Sequence, residues 1–392
     1  MQTVASFLDQ SLAVVGPLLT AGLGIPAERI GHFSSLSAFG VVLFLTFGTP
    51  LLARFGPVRM LQVGTALAVL GLTCAASRWW PLMFLAPVLI GIGYGPNPPA
   101  GSRILSATAP GRHRTLIFSL KQAGAPAGGA LAGLLLAPAA AAWGWPGAIA
   151  LAIAIAICAA FAIEPARTRL DVERDPARPV RPSDLLRPAN VIAPFRLIRD
   201  EPGLLTLTAL AVSFSIVQGS LFSFAVTYLV ISRELSLAEA GIVYACLQAA
   251  GVVARIAIGW LADRTGSAAR NLAVQALAAA AMVCGFGSLP EHTPLEIACL
   301  VAGATGFFAV SWNGVFMAEV ARLAPPDRVV EATASSGVIT FLGYMAGPTL
   351  FSLLVTAAGS YKAAFLAVAA QLACVATVQL FLLFRHSGQF RA

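Results

Sequence analysis

The stretch GWLADRTGSAARNL, residues 259–272, is a brief charged turn between two apolar runs, and it occurs twice in altered form. The earlier copy is TPLLARFGPVRML, residues 49–61, where one constant shift lays Arg54 on Arg264 and Gly56 on Gly266. Further along each half, NPPAGSRILSATAP (97–110) matches NGVFMAEVARLAP (313–325), which puts Asn97 on Asn313 and Arg103 on Glu319. A chain that repeats its turns half a length apart folds as two copies of one unit. In membranes, such duplication places a binding site between the copies near mid-bilayer.

Composition puts these units in lipid. Apolar residues fill 58% of 392 positions and charged residues 11%, with a mean hydropathy of +0.82. A water-soluble domain carries about 25% charged residues, so this chain would aggregate without a bilayer. Its net charge of +8 does not describe a nucleic-acid surface, because the basic residues fall in short gaps between apolar runs. No cleavable leader is expected, since the first run lacks a basic start and carries Asp9 within it. Cys74, Cys158, Cys246, Cys284, Cys299 and Cys374 all lie in apolar runs without a C-x-x-C pair. They are expected to be small buried residues, and neither a metal nor another cofactor is expected.

A crossing helix needs about 20 mostly apolar residues. Twelve runs qualify, near 2–23, 31–53, 58–76, 80–106, 113–139, 146–164, 203–231, 237–262, 270–289, 295–322, 331–357 and 361–385. With the N-terminus inside, the cytoplasmic gaps hold Arg54, Arg59, Arg112, Arg114, eight arginines from Arg167 to Arg199, Arg264, Arg270, Arg322, Arg328, Arg385 and Arg391. The outer gaps hold Arg29, Arg78, Arg233 and Lys362. That bias places both termini in the cytoplasm. The organisation expected is a six-helix bundle over 1–164, a cytoplasmic linker over 165–202 rich in arginine, acid and proline, and a second six-helix bundle over 203–392.

These features resemble the major facilitator superfamily over nearly the whole chain. Its loop signature, G-x-L-A-D-R-x-G, stands here as Gly259, Leu261, Ala262, Asp263, Arg264 and Gly266; in the first copy Thr49 replaces the leading Gly and Ala53 the Asp. The resemblance implies an all-α membrane protein with twelve transmembrane helices in two pseudo-symmetric halves. It also implies transport by alternating access, in a bacterial inner membrane, by a monomer. It further implies that Asp263 docks on the start of span five when the cytoplasmic side is shut, where helix N–H groups carry partial positive charge; the plain alternative is a solvated loop charge. The worn first copy implies a weaker or replaced partner lock, for which Glu331 is the candidate anion.

Charges inside the spans point to the cargo. IFSLKQAGAPAGGALAG, residues 117–133, contains Lys121, one of two lysines in the chain. It lies roughly 12 Å of helix rise into span five, where an ionised group costs about 2.5–3.5 kcal/mol. Snorkelling to the interface is the plain alternative. Against it, Gly124, Gly128, Gly129 and Gly133 offer close helix contact and Pro126 loosens the backbone, as in a helix held within the bundle. Lysine is also a compact charge that can bind an anion and release it. In span eight, Tyr244, Gln248 and Arg255 share one face; the alternative for Arg255 is a pair with Glu319. Arg103 and Glu319 are charge-pair candidates as well.

The span-eight arginine is similar to that of carboxylate carriers of the superfamily. Their second cation comes from span one or eleven, whereas here Lys121 is in span five. Asn97, Asn313 and Tyr344 are further binding candidates. Polar stripes (Thr333, Ser336 and Thr340 in span eleven; Ser213, Ser220, Ser223 and Thr227 in span seven) suit a wet cavity or simply bond their own helices. Asp9, the one acid deep in a span, is either the proton carrier or a partner for a cation.

The expected function is therefore proton-coupled transport of a small organic anion, a carboxylate first. Two alternatives stand: a proton-driven exporter of hydrophobic compounds, since GAPAGG (124–129) is similar to an antiporter motif apart from Ala125, and a receptor on a transporter scaffold. No nucleophile–base pair suggests an enzyme, and no P-loop suggests ATP drive.

Overall fold

Long apolar runs without period-two alternation satisfy their backbone in a bilayer as helices rather than as strands of a barrel, and helices are what form. The computed structural model describes residues 1–108, 114–172, 174–177, 188–325 and 328–389, with no strand among them. Among the described residues nine helices are long and apolar enough to cross a membrane, and the pair Gln2–Val14 and Gly16–Leu23, bent by 47°, makes a tenth. The run Leu120–Leu170 contains two crossings, because Gly144, at φ 73° and ψ 166°, breaks it. Trp80–Tyr94 continued by Asn97–Thr108 supplies the last, its hydropathy lowered by Asn97 and Arg103. The twelve expected spans are all present.

Both halves use one packing device. A methyl group at Gly91 in span four would fall 1.8 Å from the Ser37 carbonyl oxygen of span two; at Gly306 in span ten it would fall 1.8 Å from the Leu247 carbonyl of span eight. The step from Ser37 to Leu247 is the step from Arg54 to Arg264. Backbones this close need glycine, and close approach supplies the van der Waals contact that holds helices together where lipid offers no hydrophobic gain. The charged sequence repeat thus coincides with a repeat of glycine contacts.

The large apolar side chains that remain exposed, such as Leu300 at 74% and Phe161 at 75%, form the lipid-facing coat. Cys158 and Cys374 belong to this coat too, and only Cys74 is fully buried. This corrects the expectation of six buried thiols: in a bilayer an outward-facing helix surface is also apolar, so hydropathy does not distinguish coat from core.

Across the two halves, spans five and eight and spans two and eleven make the close contacts. They meet towards the bundle end opposite the arginine-rich loops. There a methyl at Gly133 would lie 2.6 Å from the Gly241 carbonyl, and one at Gly31 would lie 2.5 Å from the Pro348 carbonyl. Thr349 donates to Ser35 Oγ from its hydroxyl at 2.8 Å and its amide at 3.1 Å. This end is sealed.

The linker contains a turn of helix at Arg167–Leu170 and an amphipathic helix at Pro188–Asp200. That second helix packs on span eleven and buries Leu197 and Ile198 while exposing Ile192 and Phe195. Asp171 is buried at 4% exposure. It accepts the amides of Val58 at 2.7 Å and Arg59 at 3.2 Å, at the start of span three.

Candidate functional site

The glycines of span five work on two faces. Gly124 and Gly128 meet Gln2, Thr3 and Phe7 of span one, while Gly129 and Gly133 meet Gln248, Gly241 and Tyr244 of span eight. Span five is thereby clamped between the halves, and its polar groups face protein. At mid-bundle Gln10 of span one accepts from both Tyr244 and Gln248 of span eight, the latter at 2.5 Å, and Gln248 also donates to the Tyr244 hydroxyl at 2.8 Å. A side chain at Gly129 would occupy the place of both glutamine amides. The knot is dry: Tyr244 is 1% exposed and Gln248 0%.

Two turns further along span eight, burial relaxes and Arg255 is only partly buried. Its guanidinium donates to the Gln122 carbonyl at 2.5 Å, the Val310 carbonyl at 3.2 Å and Asn313 Oδ1 at 3.4 Å. The reason these carbonyls are available is local. Pro126 has no N–H to offer Gln122, four residues back, and Val310 ends the first segment of span ten at its break. Arg255 therefore joins the halves by capping one interrupted helix in each. This corrects the expected alternative of a pair with Glu319, which accepts from Arg322 Nη2 at 2.6 Å and Nε at 2.7 Å. Nor does Arg103 meet Glu319: it donates to the Leu52 carbonyl at 3.3 Å within its own half. Aligned positions in a repeat are related by symmetry, which places them in corresponding rather than touching positions.

Lys121 sits next to Gln122 and is likewise part-buried. It lies over Gly101, where a methyl would fall 2.6 Å from its Cε, and donates to the Pro98 carbonyl at a long 3.4 Å. Pro98 interrupts span four much as the break at Val310 interrupts span ten. It deprives the Tyr94 carbonyl of its helical donor, and Asn97 Nδ2 supplies one at 3.0 Å. Lys121 is close enough to Arg255 to feel its charge, and neither cation has a carboxylate partner among the described residues. Arg255 Nε, Gln248 Oε1 and Gln2 Oε1 are buried with no hydrogen-bond partner. Buried polar atoms are almost always satisfied, so these three have hydrogen-bonding capacity to spare.

Around the cations stand Tyr94 and Tyr344, both within electrostatic reach of Arg255. Tyr344 is also in hydrogen-bonding reach of Asn313. Phe341 lies between the two tyrosines, with ring centroids 6.5 Å from Tyr94 and 5.6 Å from Tyr344. Asp9 accepts from the Ser37 hydroxyl at 2.5 Å and lies within electrostatic reach of all three tyrosines. The structure thus gathers Lys121, Arg255, Gln248, Tyr244, Asn97, Asn313, Tyr344 and Asp9 at one interface. It adds Gln10, Gln2, Tyr94 and Ser37, none of which sequence reading singled out. A signal was present: Gln2, Ser6 and Gln10 recur every four residues, a polar stripe obscured by the aliphatic residues between. The serine and threonine stripes mostly bond back to their own helices, as Ser220, Ser223, Thr333 and Thr340 do.

The loop motif is arranged to match. Arg264 stacks over Trp260 at 5.2 Å and Arg54 over Phe55 at 5.6 Å. Gly266 ends span eight in the left-handed region, and Gly56 at φ 88° precedes span three. Asp263 is exposed and unpaired among the described residues; the residues before Arg114 on which it was expected to dock lie outside them. Glu331 pairs with Arg328 at 3.0 Å.

Comparison with known proteins agrees with this architecture. The profile of the Major Facilitator Superfamily matches residues 1–329. An uncharacterized MFS-type transporter of Mycobacterium tuberculosis (strain CDC 1551 / Oshkosh) is 27% identical over 369 residues, which cover 91% of this chain and 78% of the relative. Among solved structures, a peptide transporter POT in complex with sulfate superposes with a TM-score of 0.77 at 15% identity, covering 98% of this chain and 94% of that one. A bacterial homolog of the human lysosomal transporter Spinster, inward-facing and unoccupied, gives 0.74 at 16% identity, covering 97% and 94%. At such identities the likeness is one of fold.

Proposed function

The chain belongs to the major facilitator superfamily, and from that premise we propose that it carries a small organic anion, with a carboxylate head group, coupled to protons. As a superfamily member it is an integral membrane secondary transporter working by alternating access. The observation that carries the finer reading is the pair Lys121 and Arg255, one cation from each half, part-buried and without a carboxylate partner among the described residues. An anion between them would neutralise both and supply the missing acceptor for Arg255 Nε. Arginine presents a fork suited to a carboxylate and lysine a point charge. The Tyr94–Phe341–Tyr344 wall suits an organic body on that head group.

In this reading the cations are reached from the arginine-rich end, because spans two, five, eight and eleven close the halves on each other at the far end. Placed by the charge bias, that end is the cytoplasm, in a bacterial inner membrane. Asp9 is the proton carrier in this reading: it is the acid nearest the tyrosines and lies one residue from Gln10 in the cross-half knot. Protonation of Asp9 would change the charge balance of the cavity and so the affinity for an anion.

The test is uptake of labelled small carboxylates into proteoliposomes, with and without an inward proton gradient. Gradient-driven uptake is expected. Lys121→Gln and Arg255→Gln should each lower kcat/KM by about tenfold or more, the loss of one charge-assisted bond. Asp9→Asn should abolish the gradient response while sparing anion exchange. Unchanged kinetics in both cation variants would remove the anion site. Raised tolerance to hydrophobic drugs on overexpression, with no carboxylate uptake, would support the exporter reading.

A further inference from the structure

A cluster of arginines, separate from the cation pair between the halves, lies on the arginine-rich end. Arg54, Phe55 and Arg59 from the first loop motif line a cavity of about 320 Å³ together with Arg167, Arg174 and Pro176 from the linker. What brings the linker there is Asp171. Its carboxylate fills the first turn of span three, accepting the Val58 and Arg59 amides. It packs against Gly56, where a methyl would lie 2.5 Å from its Cγ. The Asp175 amide then donates to the Ala53 carbonyl at 2.9 Å. The motif position that lost its own acid, Ala53, is thus held by a linker that contributes two acids and sets two further arginines opposite Arg54 and Arg59.

The charge of this cavity is unbalanced. Glu164 engages Arg167 at 3.1 Å and Arg59 at 3.7 Å. Asp171 accepts the Val58 and Arg59 amides and Asp175 the Ala177 amide, so three carboxylates stand beside the four guanidinium groups and leave one positive charge in excess. Arg54 and Arg174 have no carboxylate partner among the described residues. Arg54 and Arg174 are thus the two guanidinium groups left for an anion, and arginine forks match phosphate oxygens in bidentate fashion. The volume is at the lower end of small-molecule sites, which begin at about 300 Å³. That suffices for a phosphate group and a small attached body.

We propose that this cavity binds a phosphate ester through Arg54 and Arg174, with Arg59 and Arg167 completing the cradle. Two sources share the chemistry: the head group of an anionic phospholipid, and a soluble phosphate. The site is independent of what the central cavity carries.

The experiment is calorimetric titration of the full-length protein, delipidated in a neutral detergent, with short-chain phosphatidylglycerol, inorganic phosphate and phosphatidylcholine. Saturable binding of phosphatidylglycerol or phosphate is expected, with little for the zwitterionic lipid, and Arg54→Gln/Arg174→Gln should weaken it by about tenfold or more. Arg29→Gln/Arg78→Gln, at the opposite end, should leave it unchanged. Binding of the lipid alone assigns the head group, and binding of phosphate as well, with mutual competition, assigns a site open to soluble esters. The single variant Arg174→Gln, whose side chain is exposed, keeps the test valid if the double variant unfolds. No saturable binding of either probe, or binding equal in wild type and variants, overturns the proposal.

Discussion

At the scale of single residues, the glycines separate into those that meet backbone and those that meet a movable side chain. Gly306 faces the Leu247 carbonyl at a distance no methyl tolerates, and a carbonyl in a helix cannot step aside. Gly306→Ala should therefore destabilise the protein by about 1–3 kcal/mol, the usual cost of overpacking. Gly285→Ala, with nothing within 4 Å of its added methyl, should be neutral or mildly stabilising. Thermal unfolding in detergent distinguishes them, and equal melting temperatures would refute the packing account. Gly129 is different, because its neighbours are the ends of Gln248 and Gln10. The Ser37–Gly91 and Leu247–Gly306 contacts were not legible in the sequence: glycine is common in membrane helices, and only the fold shows which ones touch. Lys121 and Arg255 were legible, because a charge within an apolar run is costly enough to need a reason.

At the scale of elements, proline decides which carbonyls the cations find. In span five Pro126 frees the Gln122 carbonyl and Arg255 takes it at 2.5 Å; in span four Pro98 frees the Tyr94 carbonyl and Asn97 takes it. Pro126→Ala restores a helical N–H to Gln122 and competes with the guanidinium. The expected result is a higher melting temperature with a several-fold lower turnover, since the helix ladder closes while the tie between the halves slackens. Stopped-flow uptake beside thermal unfolding checks this; a drop in both would mean that Pro126 is needed for packing alone. The sequence announced a loosened helix at Pro126 but not its partner, because a carbonyl's donor is fixed by the packing of another span. The Arg103–Glu319 pairing failed because symmetry-related positions do not touch, and Arg322, one turn along on the same helix, supplied the partner instead.

At the scale of the whole molecule, the twelve spans and the two-fold plan followed from hydropathy and repeated turns, both one-dimensional signals. Which end is open does not follow from either, since alternating access gives one sequence several packings. The open end and its orientation can be tested together. In a cysteine-free background, Asp263→Cys should react in intact cells only with membrane-permeant maleimides. Gly24→Cys, at the sealed end, should react with an impermeant one. The reverse pattern would invert the topology.

The dry knot of Gln10, Tyr244 and Gln248 has an electrical consequence. A membrane voltage drops where there is no water to carry countercharge, so in this state most of it falls across the thin sealed layer beyond the knot. Lys121 and Arg255 then sit at nearly the potential of the compartment they open to, and an anion reaching them from that side crosses little of the field. The voltage is felt when the seal changes sides and the fixed cations pass from one potential to the other, at about 2.3 kcal/mol per charge for each 100 mV. An anion riding between them offsets that load. The loaded carrier should therefore turn over with a weaker voltage dependence than the empty one.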